Sequence, residues 1–224
     1  MWGTRAWVEH KVLRVGLTGG LASGKTAAAR RFAELGAKVI SADEVGRALM
    51  QPGERVFADI VAKFGRGVVA ADGMLDRAAL AKIAFGQGGL PPRIEELNAI
   101  VHPATIARQE KMILEIAAKE PSAVIVVESA LIFETKYGGK EGWRRRFDRI
   151  ILVRAPEEQR IARFISRTSS TETEARRRMA QQIDDDWKAA HSDYVLTNNG
   201  TVESLRAQVD ALWPKLKTAA PHSN

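Results

Sequence analysis

Residues 12–36 read VLRVGLTGGLASGKTAAARRFAELG, and the reading of this stretch decides the fold. Its opening, residues 12–18, is a short and mostly apolar run, the pattern of a strand buried on both faces of a parallel sheet. Residues 19–26, GGLASGKT, then satisfy the phosphate-loop spacing G-x-x-x-x-G-K-[ST]. The chemistry needs that spacing because Gly19 and Gly24 let the backbone curl until successive N–H groups point inward at an anion. Lys25 adds a mobile cation and Thr26 a hydroxyl that suits Mg²⁺. Residues 25–35 are alanine-rich helix formers, and Gly36 is placed as their C-terminal stop. Strand, loop and helix therefore follow in the order that puts a phosphate at a helix N-terminus. The candidate ATP contacts are Gly20, Ala22, Ser23, Gly24, Lys25, Thr26 and Ala27.

Working outward, residues 38–41 (KVIS) predict a second strand, and Ser41 with Glu44 a capping box for the helix that follows. From 51 to 120 the pattern turns helical, in stretches that Gly and Pro break, including a break at Pro103. This segment is expected to be a helical insertion plus a return helix. Residues 124–127 (VIVV) and 149–153 (RIILV) predict central parallel strands and 194–197 (YVLT) a fifth. Asn198-Asn199-Gly200 predicts a turn, and a last helix follows over 201–217. Strands separated by helices predict a right-handed, doubly wound α/β sheet with its ligand at the C-terminal edge. The expected division is a core of 12–50 and 121–217, carrying a lid at 156–190, and an insertion of 51–120. Residues 1–11 and 218–224 are read as tails, and 86–92 and 136–142 as the loosest loops.

A chain of 224 residues accommodates one large α/β domain with an insertion. Cysteine is absent, which excludes disulfides, thiolate metal sites and cysteine nucleophiles. No apolar run approaches the ~18 residues of a bilayer span, and the N-terminus has no signal-like core. A cytoplasmic protein without a membrane partner is expected. The formal charge of +7, from 34 basic and 27 acidic residues, suits an anionic ligand. Nucleic acid is the rival to a nucleotide, but the basic residues are scattered rather than striped, so no nucleic-acid partner is expected, and a monomer is.

Phosphoryl transfer needs positioning, Mg²⁺, cations on the migrating charge and a carboxylate to orient or deprotonate the acceptor. Asp43 follows the second strand and can serve as that base, or equally as a helix N-cap or first-turn acid. Glu128 ends the VIVV strand, where it can hold Mg²⁺ through water or simply cap the strand. Arg160, Arg163 and Arg167 fall at i, i+3 and i+7, on one face of a predicted helix. They read either as a solvated face or as a lid whose arginines close over the triphosphate. Arg176 to Arg178 and Asp184 to Asp186 extend the charged segment, and adjacent residues cannot share a helix face.

From about residue 14 to 213 the chain resembles the dephospho-CoA kinase family. The matching pieces are LTGGLASGKT, VISADEVGR, GMLDRAAL (73–80), LNAIVHP (97–103), ESALIFE, the APEEQ helix with Arg163 and Arg167, and DYVLTNNG. The resemblance implies transfer of the ATP γ-phosphoryl group to the ribose 3′-hydroxyl of dephospho-CoA. It also implies a nucleotide-kinase-like sheet of order 2-3-1-4-5, a helical CoA-binding insertion and a lid. Asp43 matches the family's presumed base, and Lys25 and Thr26 its phosphate and Mg²⁺ contacts. Arg77 and His102 match acceptor-side positions, Arg163 and Arg167 the lid arginines, and Asn199 the segment near adenine. The chain departs from the pattern at four places. Ser41 stands for a common aspartate, Ala22 for a loop glycine, Ala130 for a proline and Thr168 for an acid. Another kinase of the same core, acting on a nucleoside, nucleotide or sugar, remains the competing enzyme.

Overall fold

Five strands build one sheet: β1 (Leu13–Thr18), β2 (Lys38–Ser41), β3 (Val124–Glu128), β4 (Arg149–Arg154) and β5 (Tyr194–Thr197). Their order is β2-β3-β1-β4-β5, and β1 pairs in parallel with β3 and β4, as β4 does with β5. The sheet class and strand order are those expected above. The computed structural model describes residues 12–86, 91–135, 142–219 and 221. Residues 1–11, 220 and 222–224 of the expected tails, and 87–90 and 136–141 of the two expected loops, lie outside the described residues.

By its contacts the chain divides into two units, Met1–Ile40 with Ile113–Asn224, and Ser41–Met112. In the first, Leu13, Val15 and Leu17 of β1 share a core with α1 (Lys25–Glu34) and α9 (Val202–Thr218). Alternation along the strand sends these odd-numbered side chains to one face, where Phe32, Val209 and Leu216 are fully buried. Each such side chain contributes roughly 1.5–3 kcal/mol by leaving water. Gly16 belongs to the opposite face, against Ile132, Phe147 and Ile150. The same unit holds α6 (Glu157–Thr168), α7 (Glu172–Met179) and α8 (Asp185–Ala190). Ion pairs of Arg31 with Asp210 and of Arg206 with Glu34 link α1 to α9 at the surface.

The second unit contains α2 (Ala42–Leu49), α3 (Arg55–Phe64), a 3₁₀ turn (Arg66–Val68), α4 (Arg77–Ala84) and most of α5 (Ile94–Lys119). The division between units falls inside α5. The expected break at Pro103 does not occur: α5 runs through it for 26 residues. Proline removes one N–H from the ladder and costs about 3 kcal/mol. The burial of Ile106, Ile113 and Ala117 further along the same helix offsets that cost. Arg93 and Lys63 both pair with Glu96, and the Arg93 guanidinium lies 4.6 Å from the Phe64 ring centre.

Candidate functional site

The loop between β1 and α1 ends in a helix start that carries no side-chain cap among the described residues. Gly24 is the N-cap residue, with φ 105°, no side chain caps it, and the first turn of α1 holds no acidic residue. An α-helix leaves its first four N–H groups unpaired and carries about half a positive charge there, so this end is built for an anion. Lys25 Nζ donates to the carbonyls of Gly19 at 2.8 Å and Gly20 at 2.9 Å. The ammonium is thus held over the loop, where it can exchange carbonyl partners for phosphate oxygens.

The loop's outer side is packed to contact. A Cβ on Gly20 would fall on the Arg160 guanidinium, and one on Gly24 on the Asn198 amide nitrogen. Asn198 is buried, its Nδ2 donates to the Ser23 carbonyl at 2.8 Å, and its own carbonyl accepts from Arg163 at 3.2 Å. Arg163 also donates to Gln159 Oε1 at 3.0 Å, and its other terminal nitrogen is buried without a hydrogen-bond partner among the described residues. Gln159 Nε2 in turn donates to the carbonyl of exposed Asn199 at 3.1 Å. Strand end β5, helix α6 and the loop therefore converge on Asn198. Sequence reading placed that residue in a turn, and its only signal was its position just past the end of a strand.

The three arginines predicted to share one face have three different fates. Arg160 is buried and paired with Asp185 at 2.7 Å, Arg163 is half-buried against Asn198, and Arg167 is exposed with no partner among the described residues. Arg176 joins Glu157, Glu158 and Glu172, while Arg177 and Arg178 both pair with Glu174. Asp184 caps α8 through the backbone N–H groups of Asp186 and Trp187, which hold its carboxyl below the usual range. Asp186 pairs with Arg154 at 2.9 Å. The two charged runs thus satisfy neighbouring groups in this state.

Thr26 Oγ1 donates to Glu128 Oε1 at 2.7 Å. The pairing of Leu17 with Glu128 across β1 and β3 sets the carboxylate beside the start of the loop. A hydroxyl and a carboxylate form an oxygen donor set suited to a hard divalent cation whose remaining ligands come from phosphates and water. Among the described residues no group of three or more His, Asp or Glu side chains could hold a metal alone. Mg²⁺ requires none, because a triphosphate would complete its octahedron.

In the second unit, Ser41 caps α2 by accepting from the Glu44 N–H at 3.3 Å. The capping role is therefore filled by Ser41, and Asp43 is exposed with no partner among the described residues. Gly46 of α2 lies against Val101 and Thr105 of α5, so the helix bearing Asp43 packs on the helix bearing His102. Burial pushes the His102 imidazole below its ordinary pKa, against a smaller opposing pull from Glu95, and favours the neutral ring. Arg77 opens α4 behind the N-cap Asp76, whose carboxylate accepts from the N–H groups of Ala78 and Ala79, and its own side chain is exposed.

Ala22 has φ 55°, in the left-handed region that disfavours any Cβ by about 1–2 kcal/mol. Ala22→Gly is therefore expected to raise stability by about 1 kcal/mol, or about 2–4 °C in melting temperature for a chain of this size. Calorimetry checks this, and a lowered melting point would show that the alanine methyl's packing on Ile161 and Phe164 outweighs the strain.

Comparison with known proteins gives a consistent result. A family model described as dephospho-CoA kinase matches residues 13–204. The dephospho-CoA kinase of Aromatoleum aromaticum is 42% identical over 206 residues, 92% of this chain and 95% of that protein. That of Corynebacterium jeikeium is 39% identical over 202 residues, 90% of this chain and 98% of its own. Among solved structures, TT1252 from Thermus thermophilus aligns with TM-score 0.72 and 27% identity, over 93% of this chain and 99% of that one.

Proposed function

The chain belongs to the dephospho-CoA kinase family, and we propose that it moves the γ-phosphoryl group of ATP to the ribose 3′-hydroxyl of dephospho-CoA, yielding CoA and ADP. One observation carries the donor half: the Thr26–Glu128 hydrogen bond at the mouth of a phosphate loop whose helix start is uncapped. Mg²⁺ bound there would neutralise phosphate charge and fix the triphosphate for in-line transfer. Thr26 would be its direct protein ligand and Glu128 would hold it through water. Lys25 and the loop N–H groups from Gly20 to Ala27 bind the β- and γ-phosphates. Asn199 lies near the adenine, and Arg163, tied to Asn198, and exposed Arg167 serve as the lid arginines over the triphosphate.

On the acceptor side, Asp43 orients the 3′-hydroxyl and takes its proton, since it is a carboxylate that no contact engages among the described residues. Arg77 and His102 bind the acceptor, with 51–120 as the CoA-binding insertion and return helix and 156–190 as the lid over a core of 12–50 and 121–217. A monomeric, cytoplasmic enzyme without a nucleic-acid partner completes the reading. No helix among the described residues is long and apolar enough to cross a membrane. Incubation of the pure protein with ATP, Mg²⁺ and dephospho-CoA is expected to give CoA by mass spectrometry. An acceptor panel in which dephospho-CoA stays inert while a nucleoside or sugar turns over would reassign the acceptor.

A further inference from the structure

We propose that Arg160 is a positioning residue for the donor triphosphate: paired with Asp185, it holds the Leu21 peptide at the apex of the phosphate loop in its anion-binding shape, without itself touching nucleotide. The inference rests on the reading of this loop as the ATP site. Arg160 Nε donates to the Leu21 carbonyl at 2.9 Å, and a terminal nitrogen donates to Asp185 Oδ2 at 2.7 Å. Both side chains are withdrawn from water, at 9% and 17% exposure. The Leu21 N–H donates to Gln182 Oε1 at 2.8 Å, and the Leu21 side chain packs on Ile161, Phe164 and Ala175. The N–H, carbonyl and side chain of this one residue are therefore each engaged by α6, α7 or the segment that leads into α8.

The loop needs such support. It contains three residues with positive φ, Gly19 at 152°, Ala22 at 55° and Gly24 at 105°, and a strained turn persists only where its surroundings over-determine it. Stability alone does not account for an ion pair in this place, because apolar pairs of similar volume in buried sites are commonly neutral or stabilising. An apolar pair has no donor for the Leu21 carbonyl. The absence of a Cβ at Gly20 is what lets the guanidinium approach this closely.

The decisive variant is the double exchange Arg160→Leu with Asp185→Leu, which removes both charges together. It is expected to fold with a melting temperature near that of the unaltered protein. Its KM for ATP should rise about tenfold, as the loss of a charge-assisted hydrogen bond implies, and the Kd for a fluorescent ATP analogue should rise in parallel. The KM for the acceptor and kcat should each change less than threefold. A well-folded double variant with unchanged ATP KM overturns the proposal. If it does not fold, Arg160→Lys decides instead: lysine keeps the charge but cannot span both acceptors with a rigid fork, so an intermediate rise in ATP KM is expected and an unchanged value overturns it. Failure of the unaltered protein to bind the analogue would count against the ATP site itself, not against the Arg160 clamp.

Discussion

Asp43→Asn lowers kcat by about 10²- to 10⁴-fold, the range that a positioned general base supplies, while the Kd for ATP stays within about threefold. The carboxamide keeps the shape of the side chain and can still accept a hydrogen bond, but it cannot take the proton of the acceptor hydroxyl. The split between kcat and ATP affinity is expected because the proposed site holds the triphosphate on the loop, not on α2. Stability should hardly move, since Asp43 is exposed and engages no partner among the described residues, and Ser41 provides the cap of α2. The loss of one charge in a helix's first turn costs about 0.3–1 kcal/mol. Rapid-quench measurement of the chemical step together with ATP titration checks the expectation. Turnover within tenfold of normal would reduce Asp43 to a helix-start acid.

Lys25→Met is expected to act on both quantities, raising the Kd for ATP at least tenfold and lowering kcat by about 10²- to 10³-fold. The ammonium bonded to the Gly19 and Gly20 carbonyls lies over the loop, where in the proposed site it would meet charge that is present in bound ATP and grows as the γ-phosphoryl group leaves. Methionine fills similar volume without a charge, so lost activity would not be lost packing. Calorimetric titration with ATP and steady-state kinetics measure the two effects separately. A variant that retains kcat and loses only affinity would show that Lys25 serves the ground state alone.

The contrast between these two residues follows from where their signals lie. Lys25 is legible because the loop's chemistry is compressed into eight consecutive residues bracketed by a strand and a helix. The same locality made β2 and the Ser41 cap readable. Asp43 is marked by its place after a strand; the structure adds that Ser41 fills the cap of α2, while Asp43 keeps its place in the first turn of that helix. The local rule that proline ends a helix fails at Pro103, which lies inside α5, because packing along that helix decides there.

The contacts by which distant residues shape the loop from outside were not legible. Asn198 reaches Ser23 across 175 residues, Gln182 reaches Leu21 across 161 and Arg160 reaches Leu21 across 139. No periodicity or spacing encodes a contact at such separations. The sequence by itself determined the parallel α/β class, the strand order through family resemblance, and the loop that grips phosphate, because each is written in short-range pattern or in motif. The tertiary structure decided which arginine of α6 is spent on the loop, which leans on Asn198 and which stays exposed. A guanidinium's role depends on its burial and its partners, and both are supplied by distant parts of the chain that only folding brings to it.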